Sequence, residues 1–287
     1  MPRKIVVLMA DMHSGHKLGL CNPDTIIVDT SQDPPKEINI KLIEWQEYLW
    51  YDIYEKGIQK VVEIAGEDEI IPNHLGDIVQ GGKHPYQLVT PSFHNQCAVA
   101  YWNMKPWMVL QNVKKVRVHT GTPAHDGDYL GAPVVVAEKM RDKHVNVDVK
   151  VVHHSLQNID GLLLDLAHHG SSTGIRNWTK GNVMRYELTS MVIDAISAGE
   201  QPADIYARGH FHTPHEEVIT RSVNGKSKLF RYMLLPSIVG MGHYARKVTK
   251  STPKITNGFT ALEIVDGKLV DVHWLTETKD LRTLETF

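Results

Sequence analysis

Cysteine is scarce: only Cys21 and Cys97 occur in 287 residues. Two thiols exclude a disulfide framework and a cysteine-based zinc site. A surplus of one charge is also missing. Thirty-one Lys and Arg stand against 33 Asp and Glu, a formal net charge of −2. That is not the strongly basic balance of a protein that coats nucleic acid. No apolar run reaches membrane-spanning length. The run from Ile5 to Ala10 is too short for a signal h-region and meets Asp11 at once. A soluble, cytoplasmic protein with no membrane partner is the expectation. Asn177-Trp178-Thr179 has the form of a glycosylation sequon, but without an export signal it carries no weight. Repeats and low-complexity tracts are absent too. Hydrophobic residues make up 42% of the chain, enough for a real core. The organisation expected is one domain over 1–287, with the last ~12 residues, all but a few of them polar, as a tail.

What the chain has in excess is histidine, 17 residues in all. Neutral imidazole is the commonest metal-ligating side chain, so the histidines direct the search, although at least half should be ordinary surface residues.

The apolar pattern alternates strands with helices early and turns to hairpins late, which predicts a mixed α/β sandwich. Lys4 to Met9 reads as a buried strand. Glu37 to Lys56 reads as a helix stopped by Gly57, and Ile70 to Leu75 as a strand. A Gly- and Pro-containing loop follows from Gly81 to Pro91. Gln96 to Leu110 should be helical with a break at Pro106. Val113 to His119 reads as a strand and Ala132 to Lys143 as a helix. Val145 to His153 should pair with Ile159 to Ala167 across a turn at Gln157-Asn158. Val183 to Ala198 reads as a helix ended by Gly199, and Asp204 to Ala207 as a short strand. Hairpin turns are expected at Asn224-Gly225 and Asp266-Gly267.

The chemistry-bearing residues fall where these strands end. Asp11-Met12-His13 closes the first strand and Gly76-Asp77 the second. Thr122 and His125 follow the third, His168-His169-Gly170 closes another, and Gly209-His210-Phe211-His212 one more. Sites in α/β sheets gather at the carboxyl ends of strands. Spacing by two along extended chain turns Asp11 and His13 to one side, and likewise His210 and His212. Mixed carboxylate and imidazole donors suit Zn, Mn, Fe or Ni rather than Ca or Mg alone. His153, His154 and His215 read as non-ligands, His74 as a strand residue, and His119 as a support beside the ligands. Gly76 to Lys83 does not satisfy a P-loop, and neither a dinucleotide fingerprint nor a Gly-x-Ser-x-Gly elbow occurs.

Taken in order, Asp11-x-His13, Gly76-Asp77-x-x-x-Gly81, the His125 loop, His168 and Gly209-His210-x-His212 resemble the calcineurin-like metallophosphoesterase family. The match runs from 11 to 212. The resemblance implies a double β-sandwich, two mixed sheets flanked by helices. It implies two divalent transition-metal ions (Mn, Zn, Fe or Ni), one held by Asp11, His13 and His212 and the other by His168 and His210, with Asp77 bridging. His169 could replace its neighbour His168, which is preferred because it directly ends the apolar strand. One element departs from the family pattern. Gly121-Thr122-Pro123-Ala124-His125-Asp126 stands where Gly-Asn-His and an acidic residue are usual. Thr122 is a poor replacement for an Asn ligand. His125 is therefore either the catalytic acid near the leaving group, the reading favoured by the following Asp126, or a ligand in place of the missing Asn.

The function implied is hydrolysis of phosphate esters by a metal-bound hydroxide, with a phosphodiester as the favoured substrate. That preference rests on the 81–91 loop and on Tyr101 to Met108 as an aromatic wall for an organic substituent. A metal-dependent nuclease is the alternative enzyme; its nucleic-acid partner is not indicated by charge, although Lys247 to Lys254 could touch phosphates. The rival of another class is a non-catalytic protein-binding scaffold on the same fold. The oligomeric state is left open.

Overall fold

Strand β1 (Arg3–Met9) is apolar on both faces because both faces are covered. Ile5, Val7 and Met9 pack against helices, whereas Val6, Leu8 and Ala10 pack against a second sheet. Successive side chains of a strand point to opposite faces, so a continuous apolar run marks a strand between two layers. In this computed structural model the described residues are 3–31, 33–127, 131–174, 179–223, 225–242, 246 and 253–286.

The larger sheet joins β1 to β4 (Glu69–Leu75), β5 (Lys115–His119), β6 (Asp148–Val152), β12 (Lys254–Val265) and β13 (Lys268–Asp280). Its order is β13-β12-β1-β4-β5-β6, with β1, β4, β5 and β6 parallel. The other sheet has the order β10-β11-β9-β8-β7, from β7 (His154–Ile159), β8 (Leu162–Ala167), β9 (Ile205–Arg208), β10 (His215–Val223) and β11 (Lys226–Leu234). Leu164 and Leu166 of β8 and Ala207 of β9 share one core with Leu8, Ile71 and Leu262, so the two sheets pack face to face. A separate ribbon pairs β2 (Ile26–Asp29) with β3 (Lys36–Asn39).

Helices close the outer faces. On the larger sheet lie α1 (Glu44–Glu47), a π-helical stretch Tyr48–Glu55, α2 (Lys56–Ala65), α3 (Phe93–Met108) and α5 (Gly131–Lys143). The single turn α4 (Pro123–Asp126) belongs to the loop after β5, and α6 (Asn182–Ser197) covers the smaller sheet through Met184, Leu188 and Val192. Among the described residues no helix is long and apolar enough to cross a membrane.

Several local expectations change. Residues 36–39 form β3, not the start of a helix, which begins at Glu44. Gly57 does not stop that helix. A Cβ there would stand 2.7 Å from the ring of Phe259, so glycine lets the helix lie on the sheet, and the C-cap is Gly66 at φ 57°. Pro106 sits inside α3 without ending it. Tertiary burial of Met104, Trp107 and Met108 holds the last turn. That burial takes Met104, Trp107 and Met108 out of the aromatic wall expected from Tyr101 to Met108, whereas Tyr101 and Trp102 line a cleft that holds none of the candidate ligands. Trp107 packs on Tyr54 and Phe259 with ring centroids 6.4 and 5.8 Å away, in the core. The pairing around 145–167 differs too. β6 joins the larger sheet, and the hairpin is β7–β8 about Asp160-Gly161. β13 continues to Asp280 opposite Lys254, so the first residues of the expected tail are sheet. Asn224, Asn177, Trp178 and the 247–252 part of the lysine-rich segment lie outside the described residues.

Candidate metal centre

The carboxyl ends of β1, β4, β5, β8 and β9 converge, and the loops that leave them are tied by backbone bonds. Asp11 N–H donates to Gly76 O at 3.1 Å, His13 N–H to Asp77 O at 3.1 Å, and Gly209 N–H to His168 O at 3.0 Å. Because these five strands come from two different sheets, residues up to 199 positions apart meet: His210 N–H reaches Asp11 Oδ2 at 2.9 Å.

Three sets of donor atoms result in which all members lie within 4.8 Å of one another and include the expected ligands. Asp11, His13 and His212 form one; Asp11, Asp77 and His168 a second; His168, His169 and His210 a third. A further set unites His13, Asp77 and His125. All six expected ligands are therefore together, with Asp77 between the His13 side and the His168 side. His169 joins them as well.

The anchoring follows one pattern, in which one atom is held and the other is presented. His168 Nδ1 donates to Leu75 O at 2.6 Å, which leaves Nε2 to face inward, 3.2 Å from Asp77 Oδ2. A bonded Nδ1–H is how ligating imidazoles are usually oriented. Asp77 Oδ1 accepts from Thr122 N–H at 2.6 Å and its hydroxyl at 2.9 Å, so only Oδ2 faces inward. Asp11 Oδ2 accepts the His210 amide while Oδ1 turns toward His212 Nε2 at 3.2 Å. Asp11 Oδ1, His13 Nδ1 and His168 Nε2 are buried without a hydrogen bond of acceptable geometry. Groups so placed are costly to leave unpaired, and all but His13 Nδ1 point at the common centre.

The centre fits a cation on a second ground. His13 Nε2 and His212 Nε2 face each other at 3.3 Å. Two imidazole nitrogens on one tetrahedral ion, each at ~2.0–2.1 Å, stand roughly 3.3 Å apart. The protonation equilibria agree. Burial pushes Asp11 up, but His212 and His168 outweigh it and hold the carboxyl down at about 2. Burial likewise disfavours a charged His168, yet Asp77 and Asp11 raise it to about 9. Protons gather where the carboxylates demand positive charge. His13, buried beside His125 and His212, is driven far down and stays neutral, the form that ligates.

The backbone is strained at the same residues. Seven described non-glycine residues have left-handed φ: Asp11 at 55°, His13 at 46°, Asp77 at 53°, His210 at 72°, His212 at 54°, and Asp160 and Asp266 in hairpin turns. Asp and His tolerate this region better than most residues, but each such residue still costs of order 1–3 kcal/mol and persists where surroundings over-determine it. Outside the two hairpin turns, every one is a candidate ligand.

The loop after β5 has a role that its sequence hid. Gly121 lies so close to Asp77 that a Cβ would meet Asp77 N at 2.1 Å. Asp126 is buried and accepts from the amides of Gly121 at 2.7 Å, Ile78 at 2.9 Å and Asp77 at 3.1 Å. It fixes the Asp77 turn. Burial and the charge of Asp77 push the Asp126 carboxyl up to about 7, against the pull of the Gly121 and Val79 amides. His125 Nδ1–H donates to Gln80 O at 2.8 Å, and its Nε2 lies 4.0 Å from Asp77 Oδ2. Its ring stands edge-on to His13 with centroids 4.4 Å apart. His125 thus stands beside His13 and Asp77. Gln96, which brackets Gly81 through both N–H and C=O, and Asn103, which ties Ser14 to Leu20, are supports that the sequence reading passed over. Their one signal was polar residues on an otherwise buried helix face.

Several other histidines have partners of their own. His153 pairs with Thr120, His154 with Asp165 and His215 with Glu217. His119 bonds Ser155 and the carbonyl of His74 rather than a ligand side chain, and His74 is a buried β4 residue. Two clefts of about 220 and 380 Å³ contain none of the centre's residues. In the first, Lys4, Lys115 and Arg117 are paired with Asp160, Glu69 and Asp148, so it is a poor rival for a phosphate.

No family model matches the chain, and no curated protein does. A crystal structure of a protein of unknown function from Aquifex aeolicus aligns over 73% of this chain and 80% of its own, at 14% identity and a TM-score of 0.30. A likeness of that size carries no argument about fold or activity.

Proposed function

We propose that this chain is an enzyme of the calcineurin-like kind, a dinuclear metal-dependent phosphoesterase on a double β-sandwich flanked by helices. The observation that carries the reading is the coincidence of strain with donors. Five of the six expected ligands hold left-handed backbone, at residues whose free donor atoms converge. Strain of this kind clusters at functional sites. Asp11, His13 and His212 would hold one ion, His168 and His210 the other, and Asp77 both. When bound, two divalent ions acidify water toward neutrality and neutralise charge on phosphoryl oxygens.

The protein's own part is positioning. Thr122 and Asp126 keep Asp77 from rotating, and the backbone bonds between loops fix the spacing of the two sides. His125, with Nδ1 on Gln80 O, leaves Nε2 to hold a proton for the departing oxygen. A positioned acid contributes typically ~10²–10⁴-fold. A cytoplasmic location belongs to the same proposal, in keeping with the free, buried thiols of Cys21 and Cys97. Protein loaded with Mn²⁺ or Zn²⁺ is expected to hold two ions per chain and to hydrolyse aryl phosphate esters. Loaded protein that retains no ion overturns the reading.

A further inference from the structure

His168, His210 and Asp77 would give the second ion three protein donors, and a catalytic site of that kind leaves its remaining position to water. The loop after β5 gives no fourth: Thr122 turns both its amide and its hydroxyl to Asp77 Oδ1, and His125 stands on the side of His13. His169 is placed to add a fourth protein donor. Adjacent residues of a strand point to opposite faces, so His168 and His169 would diverge if β8 continued. β8 ends at Ala167, however, and in the turn that follows both rings come to the same side. The His169 ring lies 4.9 Å from the rings of His168 and of His210. One nitrogen from each of the three lies within 4.8 Å of the others, and His168 Nε2 is buried with no hydrogen bond of acceptable geometry.

We propose that His169 is a third imidazole ligand of the second ion, acting with His168 and not in its place. This inference rests on the reading of the centre as dinuclear. His169 is exposed where His168 is buried, so it closes the second position from the solvent side and gives it a nitrogen-rich donor set.

The test compares cobalt-loaded wild type, His169→Ala and His169→Cys by metal content per chain and by near-ultraviolet absorption. Wild type is expected to bind two ions. His169→Ala should bind the second at least tenfold more weakly, with the first unchanged. His169→Cys should regain it and show a thiolate-to-cobalt charge-transfer band that wild type lacks, since Cys21 and Cys97 are buried in the core. Second-ion affinity equal to wild type in His169→Ala, or no such band in His169→Cys, overturns the ligand role alone. Wild type that takes up no ion overturns the dinuclear reading and with it this inference.

Discussion

Asp77 has two oxygens with different tasks. Oδ1 is locked by Thr122, and Oδ2 faces His168 and His125. Asp77→Asn would keep the shape but remove the charge that offsets the cation side. Activity is expected to fall to near background, with at least one ion lost, as read by metal content and turnover. Full activity in this variant would mean that the centre lies elsewhere. His125 separates two roles by substrate. His125→Asn should keep two ions and lose more rate on esters with poor leaving groups than on activated aryl esters, which need little protonation. Loss of an ion with equal slowing on every substrate would make it a ligand of the His13 side instead.

The elements that carry these residues have their own weak points. Arg208, the last residue of β9, is buried and paired with Asp165 of β8 at 2.7 Å, and Asp165 also meets His154. This pairing fixes the strand end that releases Gly209-His210. Asp165→Asn removes the carboxylate paired with this cation, while Arg208 keeps the carbonyls of Asp165 and Ala207, so the expected loss in chemical unfolding is smaller than the ~3–5 kcal/mol of a fully unpaired buried charge. The pH dependence has a definite sign. Burial raises the Asp165 carboxyl, but His154 and Arg208 outweigh it and leave it lowered. Its contribution is present above the ordinary aspartate value and lost as pH falls through the lowered one. Wild type should therefore lose this share of stability only in acid, and Asp165→Asn should show a flatter acid limb. In α2, Gly57→Ala gains helix propensity of about 1 kcal/mol. The added Cβ meets the buried Phe259 ring, though, and overpacking of ~1–3 kcal/mol should win. A more stable variant would show that the ring can move aside.

At the scale of the molecule, the strained loops and unpaired donors make the metal-free protein poorer than its core allows. An ion that binds only the folded state stabilises by about 2.7 kcal/mol at a hundred times its Kd. Thermal scans with and without Mn²⁺ should separate clearly, and chelator should reverse the gain. An unchanged midpoint would deny the link between strain and metal. The substrate preference of the proposed enzyme belongs to this scale too, since it would follow from what borders the donor cluster. With Tyr101, Met104, Trp107 and Met108 in the core, a diester preference now rests on the 81–91 loop alone. Bis-aryl diesters are expected to exceed the matching monoester in kcat/KM. A tenfold preference for the monoester, about 1.4 kcal/mol in the transition state, would make the protein a phosphatase.

By itself the sequence determined which residues could do chemistry and where along the chain they fall. Asp11, Asp77, His168 and His210 each follow a strand directly or within two residues, a relation that apolar runs and their polar ends reveal locally. It also determined the buried character of β1 and the late hairpins, since alternation and turn residues act over a few positions. What it left open depended on contacts between distant segments. Gly57 does not end a helix because the distant Phe259 packs against it, and Pro106 remains in one because Met104, Trp107 and Met108 around it are buried in the core. Thr122 and Asp126 proved to be braces for Asp77 because the loop folds back onto β4. His169 stands beside both His168 and His210 only because β8 and β9 are neighbours in the sheet. Side-chain direction past a strand end is set by backbone angles, and here those angles are held by bonds between loops that the sequence alone does not reveal.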